Sequence, residues 1–74
     1  MHVEQLIRMV NQIGSFFEAM PDRSEALHDL ALHLQRFWEP RMRRELLQHL
    51  DAAGSGALNP VSAEAIHLHR ALLE

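Results

Sequence analysis

The 74-residue chain contains no cysteine, no lysine and no tyrosine. Without cysteine there are no disulfides, no thiolate zinc sites and no ligands for iron–sulfur clusters. That composition is compatible with a reducing location, and the cytoplasm is the compartment expected. Long apolar runs are missing too: none approaches the ~20 residues needed to cross a bilayer. The N-terminus has no basic region followed by an apolar stretch, so neither a signal peptide nor a membrane association is expected. Basic charge is scarce. The net charge is −3 with histidines neutral, whereas nucleic-acid binders ordinarily carry a basic surplus, so no nucleic-acid partner is expected. β-branched residues are few and period-2 alternation is absent, which removes the signal for strands.

What is present points to helices. A chain of this length forms one domain over residues 1–74 and buries only about 60% of the surface it exposes when unfolded. Lacking disulfides, it depends on good helix packing, on another protein, or on both. Pro21, Pro40, Gly54-Ser55-Gly56 and Pro60 divide it into four segments. The expected fold is all-α, a compact bundle of four short helices at about 3–20, 23–38, 40–53 and 60–73.

In the first segment Val3, Leu6, Val10, Ile13, Phe17 and Met20 recur at three- and four-residue steps, the spacing of one helix face. Ile7 and Gly14 widen that stripe on one side, Met9 and Phe16 on the other. The apolar sector then spans about 180°, more than one neighbouring helix needs. Two helices of the domain, or one helix and a partner, can share it. The second segment opens with Asp22 and Glu25 in capping-box spacing, and its core stripe is expected to be Leu27, Leu30, Ala31, Leu34, Phe37 and Trp38. Leu32 lies on the opposite face. Pro40 suits the first position of the third helix, where its missing N–H costs nothing. Met42, Leu46, Leu47, Leu50 and Ala53 are expected to face inward, and Gly54 to supply the left-handed turn that ends the helix. Asn59 and Pro60 begin the fourth helix, whose buried stripe is expected to be Val61, Ala65, Leu68 and Leu72, with Ile66 and Leu73 off it.

Six histidines raise the question of a metal. His28 with His33, and His67 with His69, are the close pairs, and neither has the three- or four-residue spacing with which two histidines chelate from one helix. No metal site is expected, and His33 and His69 are read as semi-buried packing residues. The serines have no nucleophile motif around them, and Gly54-Ser55-Gly56 is too short for a phosphate loop. No catalytic residue is assigned.

The stretch Arg36-Phe37-Trp38-Glu39-Pro40-Arg41-Met42-Arg43-Arg44 carries the most information. All seven basic residues of the chain are arginine. A GC-rich genome is the ordinary explanation, and a surface that needs planar, bidentate donors is the functional one. Arg41, Arg43 and Arg44 stand at the start of a helix, where positive charge opposes the dipole and free N–H groups attract anions. Solvated arginines, with Arg43 pairing locally and its stem over apolar surface, are the plain alternative. Aromatic residues with arginine are enriched at interface hot spots. Arg36, Phe37, Trp38, Pro40, Arg41, Arg43 and Arg44, together with Met9 and Phe16, are therefore the candidate partner-binding residues.

Leu6-Ile7-Arg8-Met9-Val10-Asn11-Gln12-Ile13, then Phe16-Phe17 and Pro21, together with His33-Leu34-Gln35-Arg36-Phe37-Trp38-Glu39-Pro40-Arg41-Met42-Arg43, closely resemble the delta subunit of the soluble NAD-dependent formate dehydrogenases. The resemblance covers roughly residues 6–50, with Val10 and Gly14 standing where alanine is expected. Beyond Gly54 the pattern is loose. The resemblance implies a non-catalytic accessory subunit that binds the catalytic (alpha) subunit and supports assembly, stability or cofactor loading. The complex would carry bis-molybdopterin guanine dinucleotide on molybdenum or tungsten, iron–sulfur clusters, flavin and NAD, none of them bound by this chain. The alternative is a transient maturation chaperone that binds the pterin dinucleotide itself through Arg36, Arg41, Arg43 and Arg44. Self-association of the isolated chain through its first helix is also left open.

Overall fold

The structure, a computed structural model, describes residues 2–74, so the domain expected over 1–74 is seen from its second residue onward. Five helices succeed one another: α1 (Val3–Glu18), α2 (Arg23–Phe37), α3 (Pro40–Ala53), α4 (Pro60–Leu68) and α5 (Arg70–Leu73). No strand occurs among the described residues. Local chemistry sets most of the boundaries. The Asp22 carboxylate accepts a hydrogen bond from the Glu25 N–H at 3.2 Å, and the Asn59 side chain accepts one from the Ser62 N–H at 3.1 Å. Each pairs a donor that the first helical turn leaves free. Pro40 and Pro60 occupy the first turns of α3 and α4. Gly54 closes α3 at a φ of 81°, and its N–H donates to the Leu50 carbonyl at 2.8 Å.

α1 stops at Glu18, before the expected Met20. Met20 precedes Pro21, which disfavours helical geometry at that position, and the chain leaves α1 through a tight turn in which the Met20 N–H donates to the Phe17 carbonyl at 3.0 Å. A larger departure lies at the other end. The helix expected over 60–73 breaks at His69, whose φ of −113° and ψ of 30° separate α4 from the short α5. Within α4 the buried face runs through Val61, Ser62, Ala65 and Ile66, which leaves Leu68 at its edge and 61% exposed. Beyond the break Leu73, also expected off the stripe, is core.

α4 packs against both α1 and α2 rather than against α3, its predecessor in sequence. Residues 54–59 carry the chain across to α1, where Asn11 receives it. The Asn59 N–H donates to the Asn11 side-chain oxygen (2.9 Å), the Asn59 amide to the Asn11 carbonyl (2.9 Å), and the Asn11 amide to the Ala57 carbonyl (3.1 Å). Leu58 enters the core just after the crossing. The buried Ser62 hydroxyl donates to the Val10 carbonyl at 3.1 Å, directly beneath Gly14. Leu6, Val10, Leu34, Trp38, Leu46 and Ile66 form the centre of the main cluster. Leu27, Leu30, Val61 and Ala65 form a second one between α2 and α4, with Ile13 and Phe17 against it.

Phe37 corrects the expected core of α2: it is 73% exposed, while its neighbour Trp38 is 5% exposed. The buried stripe runs Leu27, Leu30, Ala31, Leu34 and then Trp38, a four-residue step that leaves Phe37 outside. Trp38 lies just past the last helical residue with extended backbone, and its side chain belongs to the main cluster. Ala53, expected inside, is exposed at the end of α3.

Candidate docking surface

α1 and α2 together expose an aromatic run. Phe16 is 75% exposed at the edge of α1, and its ring meets the Phe17 ring edge-on, centroids 5.3 Å apart. Phe17 leans against His33 of α2 at 6.1 Å, and His33 lies against Phe37 at 4.8 Å. The first two contacts are edge-to-face, an arrangement that aromatic pairs favour, and the third is tilted at 41°. The outer two rings are exposed and the inner two half-buried. Beside the run is a shallow groove lined by Phe17, Asp29, Leu32, His33, Arg36 and Phe37. Leu32, placed by periodicity away from the core, forms part of its wall.

The arginine-rich stretch does not come together as one patch. Arg36 lines the groove. Arg43 turns inward: its guanidinium donates to the carbonyls of Trp38 (2.7 Å), Gln35 (3.0 Å) and Leu73 (3.2 Å). These are carbonyls that the ends of α2 and α5 leave unpaired, and a planar fork of donors is suited to collect them. Arg44 borders a different depression, with Leu47, Gln48, Asp51, Arg70 and Glu74. Arg41 and Pro40 are exposed on the first turn of α3. Among the described residues the arginine ion pairs are Arg23 with Glu64 at 3.3 Å and Arg70 with Asp51 (2.8 Å) and Glu74 (2.9 Å). Arg36, Arg41 and Arg44 enter none of these.

Met9 and Trp38 lie in the interior, Met9 half-buried against the main cluster and Trp38 within it. Of the candidate partner-binding residues, the structure thus joins Phe16, Phe37 and Arg36 in one surface. Phe17, Leu32, His33 and Asp29 belong to the same surface; of these, periodicity sets Leu32 on the outer face of the helix, and the others are not among the candidates. The i, i+4, i+7, i+8 spacing of Asp29, His33, Arg36 and Phe37 defines one ridge of α2 and is the signal that could have found them.

Arg70 joins α3 to the end of the chain. Its two-pronged hydrogen bonds hold the Asp51 carboxyl below the usual carboxylate range, and those from Arg70 to Asp51 and Glu74 raise its own ionisation further. The rings of His28 and His69 lie 5.3 Å apart, a pairing across α2 and the α4–α5 break that linear spacing does not reveal. Among the described residues, no group of three or more histidine and acidic side chains is arranged to hold a metal ion. No described helix is long and apolar enough to cross a membrane.

No curated protein and no solved structure matches the chain. A family model does. It matches residues 5–66, which takes in the aromatic run, the whole arginine-rich stretch and most of α4, beyond the reach of the motifs read from the sequence. The chain therefore belongs to the family described as NADH-dependant formate dehydrogenase delta subunit FdsD, a component of a multi-subunit enzyme.

Proposed function

We propose that the chain is a non-catalytic accessory subunit that docks on the catalytic (alpha) subunit of an NAD-dependent molybdenum or tungsten formate dehydrogenase and supports its assembly, stability or cofactor loading. The observation that carries this reading is the pairing of membership in a delta-subunit family with two large aromatic side chains left in water. Phe16 and Phe37 contribute little to the fold, and aromatic rings presented beside an arginine are the composition of an interface centre. Bis-molybdopterin guanine dinucleotide, iron–sulfur clusters, flavin and NAD then belong to the other subunits. This chain has no cysteine with which to ligate a cluster.

The second reading, a chaperone that grips the pterin dinucleotide through Arg36, Arg41, Arg43 and Arg44, fits the geometry poorly. A pyrophosphate needs donors that converge. Arg43 is engaged with three backbone carbonyls, while Arg36 and Arg44 border separate depressions. Co-expression of all subunits with a tag on this chain tests the proposal. Stoichiometric recovery of the catalytic subunit is expected, together with loss of active enzyme when this chain is omitted. Fully active, cofactor-loaded enzyme obtained without the chain overturns it.

A further inference from the structure

The geometry points to the α1–α2 aromatic face, and not the Arg41–Arg44 end of α3, as the docking surface, and to an amphipathic helix of the partner subunit as its occupant. This inference rests on the docking reading above and adds where contact is made and with what chemistry. The outer ridge of α2 carries Asp29, His33, Arg36 and Phe37, with Leu32 beside them, and with Phe17 they line a groove open to solvent. Asp29 and Arg36 are seven residues apart, two helical turns, or about 10 Å. The groove is therefore acidic at one end, basic at the other and apolar between, with Phe16 and Phe37 projecting at its margins.

That charge order selects its occupant. A helix laid along the groove with apolar side chains against Phe17, Leu32 and Phe37 places its own i and i+7 positions opposite Asp29 and Arg36. A basic residue facing Asp29 and a carboxylate facing Arg36 satisfy both ends at once, and the reversed helix sets like charges together. Among the described residues Arg36 enters no ion pair, so its bidentate donor set suits a carboxylate from outside.

The test measures capture of the other enzyme subunits, co-expressed, by tagged wild-type chain and by four variants. Phe16→Ser/Phe37→Ser, Arg36→Glu and Asp29→Arg are each expected to weaken capture at least tenfold; Arg41→Glu/Arg44→Glu is expected to stay within twofold of wild type. Apart from Asp29, which is half-buried, the substituted side chains are exposed; circular dichroism melts near wild type identify folded variants, and Arg36→Glu keeps the test open if the double serine variant or Asp29→Arg fails to fold. Failure of wild type to capture the enzyme overturns the docking reading itself. Capture by wild type and equally by Arg36→Glu and the serine variant leaves docking intact and overturns this surface. Loss with the serine variant but not with Arg36→Glu or Asp29→Arg overturns the charge-ordered helix. An isolated chain that dimerises through Phe37 while still capturing the enzyme makes the face a self-association surface, and the inference falls.

Discussion

Gly14 is the residue whose role depends most on its surroundings. In an isolated helix, alanine there is better by about 1 kcal/mol. In this fold a Cβ at position 14 collides with the Ser62 hydroxyl and presses on Asn59 Oδ1 at 3.0 Å and Val61 Cγ1 at 3.1 Å. Ser62 cannot retreat without leaving the Val10 carbonyl. Overpacking of this kind costs about 1–3 kcal/mol, so Gly14→Ala is expected to destabilise despite its helix propensity. In a domain this small, each 1 kcal/mol moves Tm by roughly 4–8 °C. Ser62→Ala alone loses a buried hydrogen bond, about 1 kcal/mol. The double variant is expected to lose clearly less than the sum, because removing the hydroxyl makes room for the methyl group. Thermal melts of the three variants check this, and strict additivity is the contrary result. The family resemblance predicts alanine at position 14; here glycine and serine are fitted to each other.

Elements differ in how openly the sequence declares them. The starts of α2, α3 and α4 are dictated by Asp22, Pro40 and the Asn59-Pro60 pair, because capping is chemistry between residues close in sequence. Burial at helix ends is set by neighbours distant in sequence, and there periodicity misleads. Phe37 lies outside while the next residue, Trp38, is core, and Leu68 lies outside because α4 turns its Ser62–Ile66 side to the core, with Leu73 buried beyond the break. The candidate surface divides in the same way. Aromatic and arginine composition marks Phe16, Arg36 and Phe37, but the crossing of α1 over α2 that joins them through Phe17 and His33 has no linear signature. Arg43 shows most plainly how position in the fold decides a residue's use. It ties the end of α2, the start of α3 and the end of α5 together through three carbonyls. Arg43→Met, which keeps the apolar stem, is expected to lower stability by about 2 kcal/mol, since hydrogen bonds from charged donors are among the stronger ones. Arg43→Lys should recover only part, having no planar fork. Urea midpoints measure the loss, and faster amide exchange at Leu72, Leu73 and Glu74 would locate it. A Met variant as stable as wild type would show the three bonds to be dispensable.

For the molecule as a whole, the surface ion pairs trim stability without deciding it. Asp51 and Arg70 are exposed enough for solvent to screen them. The Asp51 carboxyl is depressed in the folded state, so its contribution is present above its unfolded value and is lost as pH falls through the folded one. Asp51→Asn is therefore expected to lower the melting temperature modestly at neutral pH, and the two proteins should converge once acid has protonated the carboxyl. High salt should narrow the neutral-pH difference. Melts across acid and neutral pH at two salt concentrations check both; a difference that persists unchanged into acid would place the effect in packing instead.

The crossing at residues 54–59 also governs the order in which the fold can be completed. α1 is joined to residues 57–62 by hydrogen bonds spanning 46, 48 and 52 positions of the chain. Contacts of such separation are the slow ones to form, because the whole intervening chain must be brought round before they are rewarded. During synthesis α1 emerges ahead of the other helices, and the side chains that seal Val10 and Gly14 lie on the far side of α2 and α3. α2 and α3 can cover part of its apolar face, but the part around Val10 and Gly14 stays open until the chain has been made through Ile66. A helix made before its partners is thus completed only by a segment some fifty residues downstream.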